Sequence, residues 1–353
     1  MNLFFKLIFF LLISNSALAN KICLTGTTVK LFPKYGEAFF YGALLGADGS
    51  EFKIKKYYYD RNPTAPILAY KKMVNDGCSI AVGFSTGNDL IAIDSVSKKY
   101  KMPVISIYGD NSKIVEKNKF ITTIQPPVEY LLDRLLKTQM KDLIKAKNTV
   151  VITAVDRYSM IGYKKEYERI FIRNNIKFDT INLLERKQNL SKVKKYLKNV
   201  NTKINIILLT RSSLGAKIID LFSINDVDIN LILGTKYMGS SALPAFYNYL
   251  NDKDVTAFFT RHNCLCDKDK AYTDFIKRYK KRYKESPMVI SGSVFDVVRY
   301  IVKSNSLNGK SLIDKINRTT MNGISGIKFQ KNLKKDFSKS FTIKIDKGGY
   351  NSI

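Results

Sequence analysis

Short β-branched runs alternate with segments of helical spacing along most of the chain, and this alternation limits the fold more than any other feature. Ile22–Gly26, Lys53–Tyr59, Ser79–Gly83, Pro103–Ile107, Thr149–Val155, Lys177–Leu183, Ile204–Thr210 and Asn230–Gly234 predict strands. Between them, Ile67-Tyr70-Val74, Leu90-Ile93-Ser97-Tyr100, Leu131-Leu135, Tyr163-Tyr167-Ile170 and Leu214-Ile218-Leu221 recur at helical spacing. Strands that alternate with helices build βαβ units and mostly parallel sheets. The unbroken Val150-Val151-Ile152 and Ile206-Ile207-Leu208-Leu209 fit strands buried on both faces. So many units exceed one ordinary sheet, which predicts two α/β lobes. The run Thr122-Thr123-Ile124-Gln125-Pro126-Pro127 breaks the alternation and ends in prolines that continue neither a helix nor a central strand, so it is read as a domain crossing.

Ligands in open α/β sheets bind beyond the carboxyl ends of the strands. That rule singles out Gly83-Phe84-Ser85-Thr86, Ser106-Ile107-Tyr108-Gly109-Asp110, Asp156-Arg157-Tyr158, Thr210-Arg211-Ser212 and Gly234-Thr235-Lys236-Tyr237. These loops offer hydroxyls, backbone amides, aromatic rings and cations.

Met1 to Ala19 carries Lys6, an apolar run from Leu7 to Ile13 and the small-x-small triplet Ala17-Leu18-Ala19, the pattern of a cleavable export signal with Asn20 as the mature start. The apolar run falls short of the ~20 residues a membrane span needs. Asn20-Lys21-Ile22 before Cys23 lacks the small residues of a lipoprotein site, so the expected location is periplasmic. Export permits disulfides among the four cysteines. In a doubly wound sheet, the strands of Cys23 and Cys78 are neighbours, within the ~4.4–6.8 Å Cα separation a disulfide needs. Their different offsets from Gly26 and Gly83 leave the pairing open. Cys264-Leu265-Cys266 is too closely spaced for a zinc site, and His262, the single histidine, leaves no ligand pair and no Ser-His-Asp or Cys-His set. No metal, cofactor or enzymatic activity is expected.

Lys and Arg number 59 against 30 Asp and Glu, a net charge of +29 that keeps copies apart and predicts a monomer. In Phe275 to Lys284 the apolar residues fall on one helical face and cations fill the other, a solvated face. No RNA-recognition octamer, helix-turn-helix or phosphate loop occurs, so nucleic acid is not an expected partner.

Several stretches carry a resemblance: Tyr59-Asp60, Ala69 to Gly83, Ser85, Pro103 to Ser106, Asp156-Arg157-Tyr158, and the series Phe275, Tyr279, Tyr283, Pro287 and Phe295-Asp296. With Gly323-Ile324-Ser325-Gly326-Ile327-Lys328-Phe329, their order along nearly the whole mature chain resembles the branched-chain amino-acid-binding family of type I periplasmic binding proteins. The resemblance implies two Rossmann-like lobes joined by three crossings: residues 20–124 with 255–325, and 125–254 with 326–353. It also implies a cleft that closes on a small solute and delivery to an ABC permease in the inner membrane. In that family, loops matching Ser85-Thr86 and Tyr108-Gly109-Asp110 hold the ligand carboxylate, Tyr35 falls at an aromatic wall, and Tyr158 matches an aromatic that packs on the ligand. The loop that should carry the amine-binding acid reads Gly234-Thr235-Lys236-Tyr237 instead, and Arg211 stands where neutral groups are usual. Two cations in those places favour an anionic solute over a zwitterion. The expected function is solute capture for transport; the alternative is a degenerate binding fold used as a sensor or an interaction module.

Overall fold

The structure, a computed structural model, describes residues 20–26, 33–60, 62–109, 112–145, 148–156, 158–185, 187, 189–235, 255–261, 270–305, 311–325, 328–329, 335–336, 341–346 and 349–352. Residues 1–19, where the export signal is expected, lie outside them. Among the described residues no helix is long and apolar enough to cross a membrane. The described residues of Met1–Gln125 and Asn263–Phe337 form one compact unit, and those of Pro126–His262 and Ser338–Ile353 form a second.

The first unit is built on strands β1 (Lys21–Gly26), β2 (Lys53–Tyr58), β3 (Ile80–Gly83), β4 (Val104–Ser106) and β5 (Ile121–Thr123). All are parallel, in the order β2-β1-β3-β4-β5. The connecting helices are α1 (Pro33–Ala47), α2 (Ala65–Asn75), α3 (Gly87–Tyr100) and α4 (Ser112–Lys117). Because successive strand residues face opposite sides, Ile22 and Leu24 bury against α1 while Cys23 faces α2 and α3. The first layer is completed by a helix from much later in the chain, Val289–Asn305, whose Val294, Val297, Val298 and Ile301 join Ala38, Phe39 and Ala43 of α1. Those two helices touch backbone to backbone at Gly42, where a Cβ would overlap the Ser291 carbonyl. On the other layer Tyr70, Met73, Leu90 and Ile93 cover Ala81 and Val104. There Cys23 and Cys78 are joined in a disulfide with Cα atoms 6.0 Å apart.

The second unit repeats the plan with α5 (Val128–Lys145), β6 (Asn148–Ala154), α6 (Tyr158–Arg173), β7 (Phe178–Leu183), α7 (Ser191–Leu197), β8 (Ile204–Leu209), α8 (Ser212–Ile224), β9 (Ile229–Gly234) and β10 (Thr256–Arg261). Its parallel part runs β7-β6-β8-β9-β10, the same 2-1-3-4-5 order. Val150, Ile152, Ile206 and Leu208 pack on α7 and α8, whereas Val151, Ile207 and Leu209 pack on α5 and α6. Both faces of β8 are therefore buried, which is why its sequence reads as an apolar run.

Three further helices, α9 (Lys270–Tyr283), α10 (Val289–Asn305) and α11 (Leu312–Arg318), belong to the first unit, as do the short antiparallel strands β11 (Met321–Asn322), β12 (Lys328–Phe329) and β13 (Lys335–Asp336). The chain then adds β14 (Phe341–Asp346) and β15 (Gly349–Ser352) antiparallel to the edge of the second sheet, with β14 on β10. The buried Asp296 carboxylate on α10 pins the turn before β12, accepting from the backbone of Ile324 (2.9 Å) and Ser325 (2.8 Å) and from the Ser325 hydroxyl (2.5 Å).

Two boundaries differ from the sequence reading. The segment after Val255 was expected in the first lobe, but Thr256–Arg261 pairs in parallel with β9 and stays with the second unit to His262. The third crossing was expected after Ser325, yet Phe329 stacks on Tyr300 of α10, with ring centroids 4.3 Å apart, and the first unit extends to Phe337. In each case local pairing and packing move the boundary from where the resemblance had put it.

Candidate functional site

In a 2-1-3-4-5 sheet the strand order reverses between the first and third strands, and the crevice beyond their carboxyl ends is the binding position. In the first unit that point lies between β1 and β3. Gly83 ends β3 with φ of +139°, and a side chain there would overlap the Thr25 carbonyl of β1. Only glycine lets the two strand ends approach this closely. Phe84 follows in the left-handed region, φ +51°, held fully buried against Tyr59 and Tyr70 with centroids at 6.0 and 6.3 Å. A bulky residue in that conformation is strained and persists because its ring is locked by packing.

Thr86 is the N-cap of α3. Its hydroxyl accepts from the Asp89 amide at 3.1 Å, and the Asp89 carboxylate accepts from the Thr86 amide at 3.0 Å. The Thr86 amide is thus occupied, while its hydroxyl keeps a proton to donate. Asp89 is buried, and burial raises its carboxyl above the usual range, with the hydrogen bonds from Thr86 and then the nearness of the Tyr59 hydroxyl pulling it back. Tyr59 faces this carboxylate without a well-formed hydrogen bond, and burial first, Asp89 second, hold its phenol well above the usual range. Ser85, half-buried beside the cap, has no hydrogen bond among the described residues.

The loop after β4 is fixed from within. Ser106 Oγ donates to the Phe84 carbonyl at 2.9 Å and accepts from the Gly109 amide at 2.8 Å, and the Thr123 hydroxyl donates to the Gly109 carbonyl at 2.6 Å. Gly109 is buried and shapes the loop; its amide is already used. Tyr108 is brought beside Tyr35 of α1, ring centroids 6.3 Å apart. Burial, and then the Tyr108 hydroxyl next to it, push the Tyr35 phenol well above its usual range. Asp110 lies outside the described residues.

The second unit's equivalent point lies between β6 and β8. Asp156 after β6 accepts from the Glu185 amide at 2.9 Å, tying this loop to the one after β7. Tyr158 opens α6. Arg211, exposed, takes the N-cap of α8, the place Thr86 holds on α3, with extended φ and ψ of −82° and 164° and no side-chain cap. Cap chemistry prefers Ser, Thr, Asp or Asn here. A guanidinium instead adds positive charge to the positive end of the helix. Lys236 and Tyr237 lie outside the described residues; the buried Thr235 ends the described part of that loop.

One correspondence was not visible from motif reading. Thr25 and Thr153 are the next-to-last residues of β1 and β6, and both hydroxyls are buried without a partner among the described residues. Only the strand alignment of the two units reveals the match. A surface groove of about 540 Å³ between α7 and α8, lined by Leu190, Lys194, Lys217 and Ile224, lies on helices and outside these strand-end loops.

No protein-family model matches the sequence, and no curated protein matches it. Solved structures do. The leucine-binding protein LivK of Thermotoga maritima superposes with a TM-score of 0.75 at 15% identity, covering 95% of this chain and 97% of that one. The branched-chain amino acid transporter substrate-binding protein LivJ of Streptococcus pneumoniae, in complex with isoleucine, gives 0.70 at 15% identity, covering 95% and 99%. An ABC-transporter solute-binding protein of Rhodopseudomonas palustris, in complex with 3,4-dihydroxybenzoic acid, gives 0.67 at 14%, covering 95% and 96%. The fold is that of the type I periplasmic binding proteins.

Proposed function

We propose that this chain is a periplasmic solute-binding protein, not an enzyme, that captures a small carboxylate-bearing ligand and passes it to an ABC-type permease. The observation that carries the reading is the pair of matched helix starts: a hydroxyl cap at Thr86 on α3 and a cation at Arg211 on α8. A hydroxyl donor at one helix start and a guanidinium at the other suit an anion. Similar folds support a carboxylate, since their complexes hold leucine, isoleucine, 3,4-dihydroxybenzoic acid and p-hydroxybenzoic acid.

In this reading Ser85 and Thr86 donate to the carboxylate, with Tyr108 and Asp110 beside them and Gly109 holding the loop. Tyr35, paired with Tyr108, supplies an aromatic wall, and Tyr158 and Tyr237 pack on the ligand. Arg211 and Lys236 meet its other pole, which is neutral or anionic because neither cation can neutralise an ammonium group. Asp110 opposes an anion and must turn outward or pair with Lys113. The protein acts as a monomer without a cofactor.

Calorimetric titration of the chain from Asn20 with p-hydroxybenzoate, dicarboxylates and leucine tests this. Arg211→Lys is expected to weaken carboxylate binding about tenfold, because a planar two-pronged donor becomes a point charge. Lys236→Glu is expected to shift preference toward amino acids. Tight leucine binding by the unmodified protein, undiminished in Lys236→Ala, would refute the cationic pole.

A further inference from the structure

The opposite end of the first unit carries a different chemistry. Its five strands are parallel, so all begin at one end, away from the loops after β3 and β4. Helices α2, α3 and α4, each leading into the next strand, finish at that same end. Helix α9 is tied there by Arg278, which pairs with Asp48 in the turn before β2 at 2.9 Å. Helix α10 ends there too, Asn305 donating to Glu51 at 2.9 Å.

Cations gather at this end and acids are mostly spent. Asp48, Asp76 and Asp94 are already paired with Arg278, Lys55 and Lys98, and Glu51 and Glu116 are acids there with no cation partner among the described residues. Lys99, Lys101, Lys117 and Lys119 are exposed and form no ion pair among the described residues. Lysines at helix ends could simply complement the helix dipoles. Dipoles do not explain the rings among them. Lys99 lies 5.5 Å from the Tyr100 centroid, Lys119 5.3 Å from Phe120 and Arg282 5.7 Å from Tyr283. Tyr100 is 38% exposed, and Phe120 and Tyr283 are half-buried. Cations whose stems run beside half-exposed aromatic rings match a bilayer interface, where rings sit at headgroup level and ammonium groups reach the phosphates.

We propose that the strand-start end of the first unit is a docking surface for anionic lipid headgroups, which leaves the strand-end loops turned away from the bilayer. The proposal does not depend on the identity of the solute. Co-sedimentation of the chain from Asn20 with phosphatidylglycerol-containing vesicles and with pure phosphatidylcholine vesicles tests it. Binding to the first and not the second is expected, falling as salt rises. Each cation near an anionic surface is worth about fivefold in binding, so Lys99→Gln, Lys101→Gln, Lys117→Gln and Lys119→Gln together should weaken it well over tenfold. The same charge removed from α7, through Lys192→Gln, Lys194→Gln, Lys195→Gln and Lys198→Gln, should change it by less than about threefold. Tyr100→Ser should weaken vesicle binding while leaving binding to soluble polyglutamate unchanged. The proposal is overturned by no binding to the anionic vesicles, by equal losses in the two quadruple variants, which would mean net charge alone, or by polyglutamate binding that matches the vesicles and ignores Tyr100, which would mean an acidic protein partner.

Discussion

Replacing both Cys23 and Cys78 with alanine removes the cross-link between β1 and the approach to β3. The two cysteines are 55 residues apart, and the closed loop contains α1, β2 and α2. In the chain-entropy treatment, a loop of that length restricts the unfolded chain by about 14 cal/mol/K, or about 4 kcal/mol at 25 °C. Alanine at both positions avoids a lone buried thiol at Cys23, which is fully enclosed. The cross-link lies inside the first unit, so its loss should shift only that unit's transition, by about 8–16 °C for a body of this size. The chain has no tryptophan, so far-ultraviolet circular dichroism during urea and thermal unfolding is the suitable probe. A loss under about 1 kcal/mol, or an equal shift of both units' transitions, would refute the idea that the bridge acts by restricting the unfolded first unit.

Gly83→Ala forces a Cβ into the Thr25 carbonyl at a φ of +139°, and we expect a loss above about 3 kcal/mol, read as a lower urea midpoint or failure to accumulate. Burial raises the Asp296 carboxyl from its ordinary 3.8 to about 6, with Ser325 and Ile324 pulling it down. The folded state therefore holds this proton more tightly than the unfolded chain. Stability should fall by about 3 kcal/mol as pH rises through that window, and level off above it. Asp296→Asn should be less stable throughout, having lost an acceptor for Ser325, and should lack that slope; an unchanged slope in urea midpoints between pH 4 and 7 would count against the assignment.

Strands with strong β-branched runs were legible from sequence, because a strand buried on both faces is apolar at nearly every position, as in β8, where only Asn205 is polar. The edge strand β5 and the inner strand β10 were not. Residues Ile121–Thr123 were absorbed into the proline-bearing crossing, and Thr256–Arg261, with Thr256, Thr260 and Arg261 among its six residues, gave no apolar run of that kind. The strand-end loops were located by the topology rule alone. What each polar group does there was not legible. The spacing Thr86-x-x-Asp89 is a capping box as much as a ligand loop, and only the structure shows the Thr86 and Gly109 amides already engaged. The match of Thr25 with Thr153 was hidden for another reason: corresponding strands of the two units share an order, not a sequence.

The hairpin of β14 and β15 has a consequence for how the chain is made. Strand β10 pairs on one side with β9 and on the other with β14, Ala257 opposite Ile345 and Phe259 opposite Ile343. Until residues 341–352 emerge from the ribosome, β10 is an open edge with buried apolar residues on both its faces. The second unit therefore cannot close during synthesis, however early β6 to β9 assemble. A product truncated before Phe341 would carry a strand edge primed to pair with another copy.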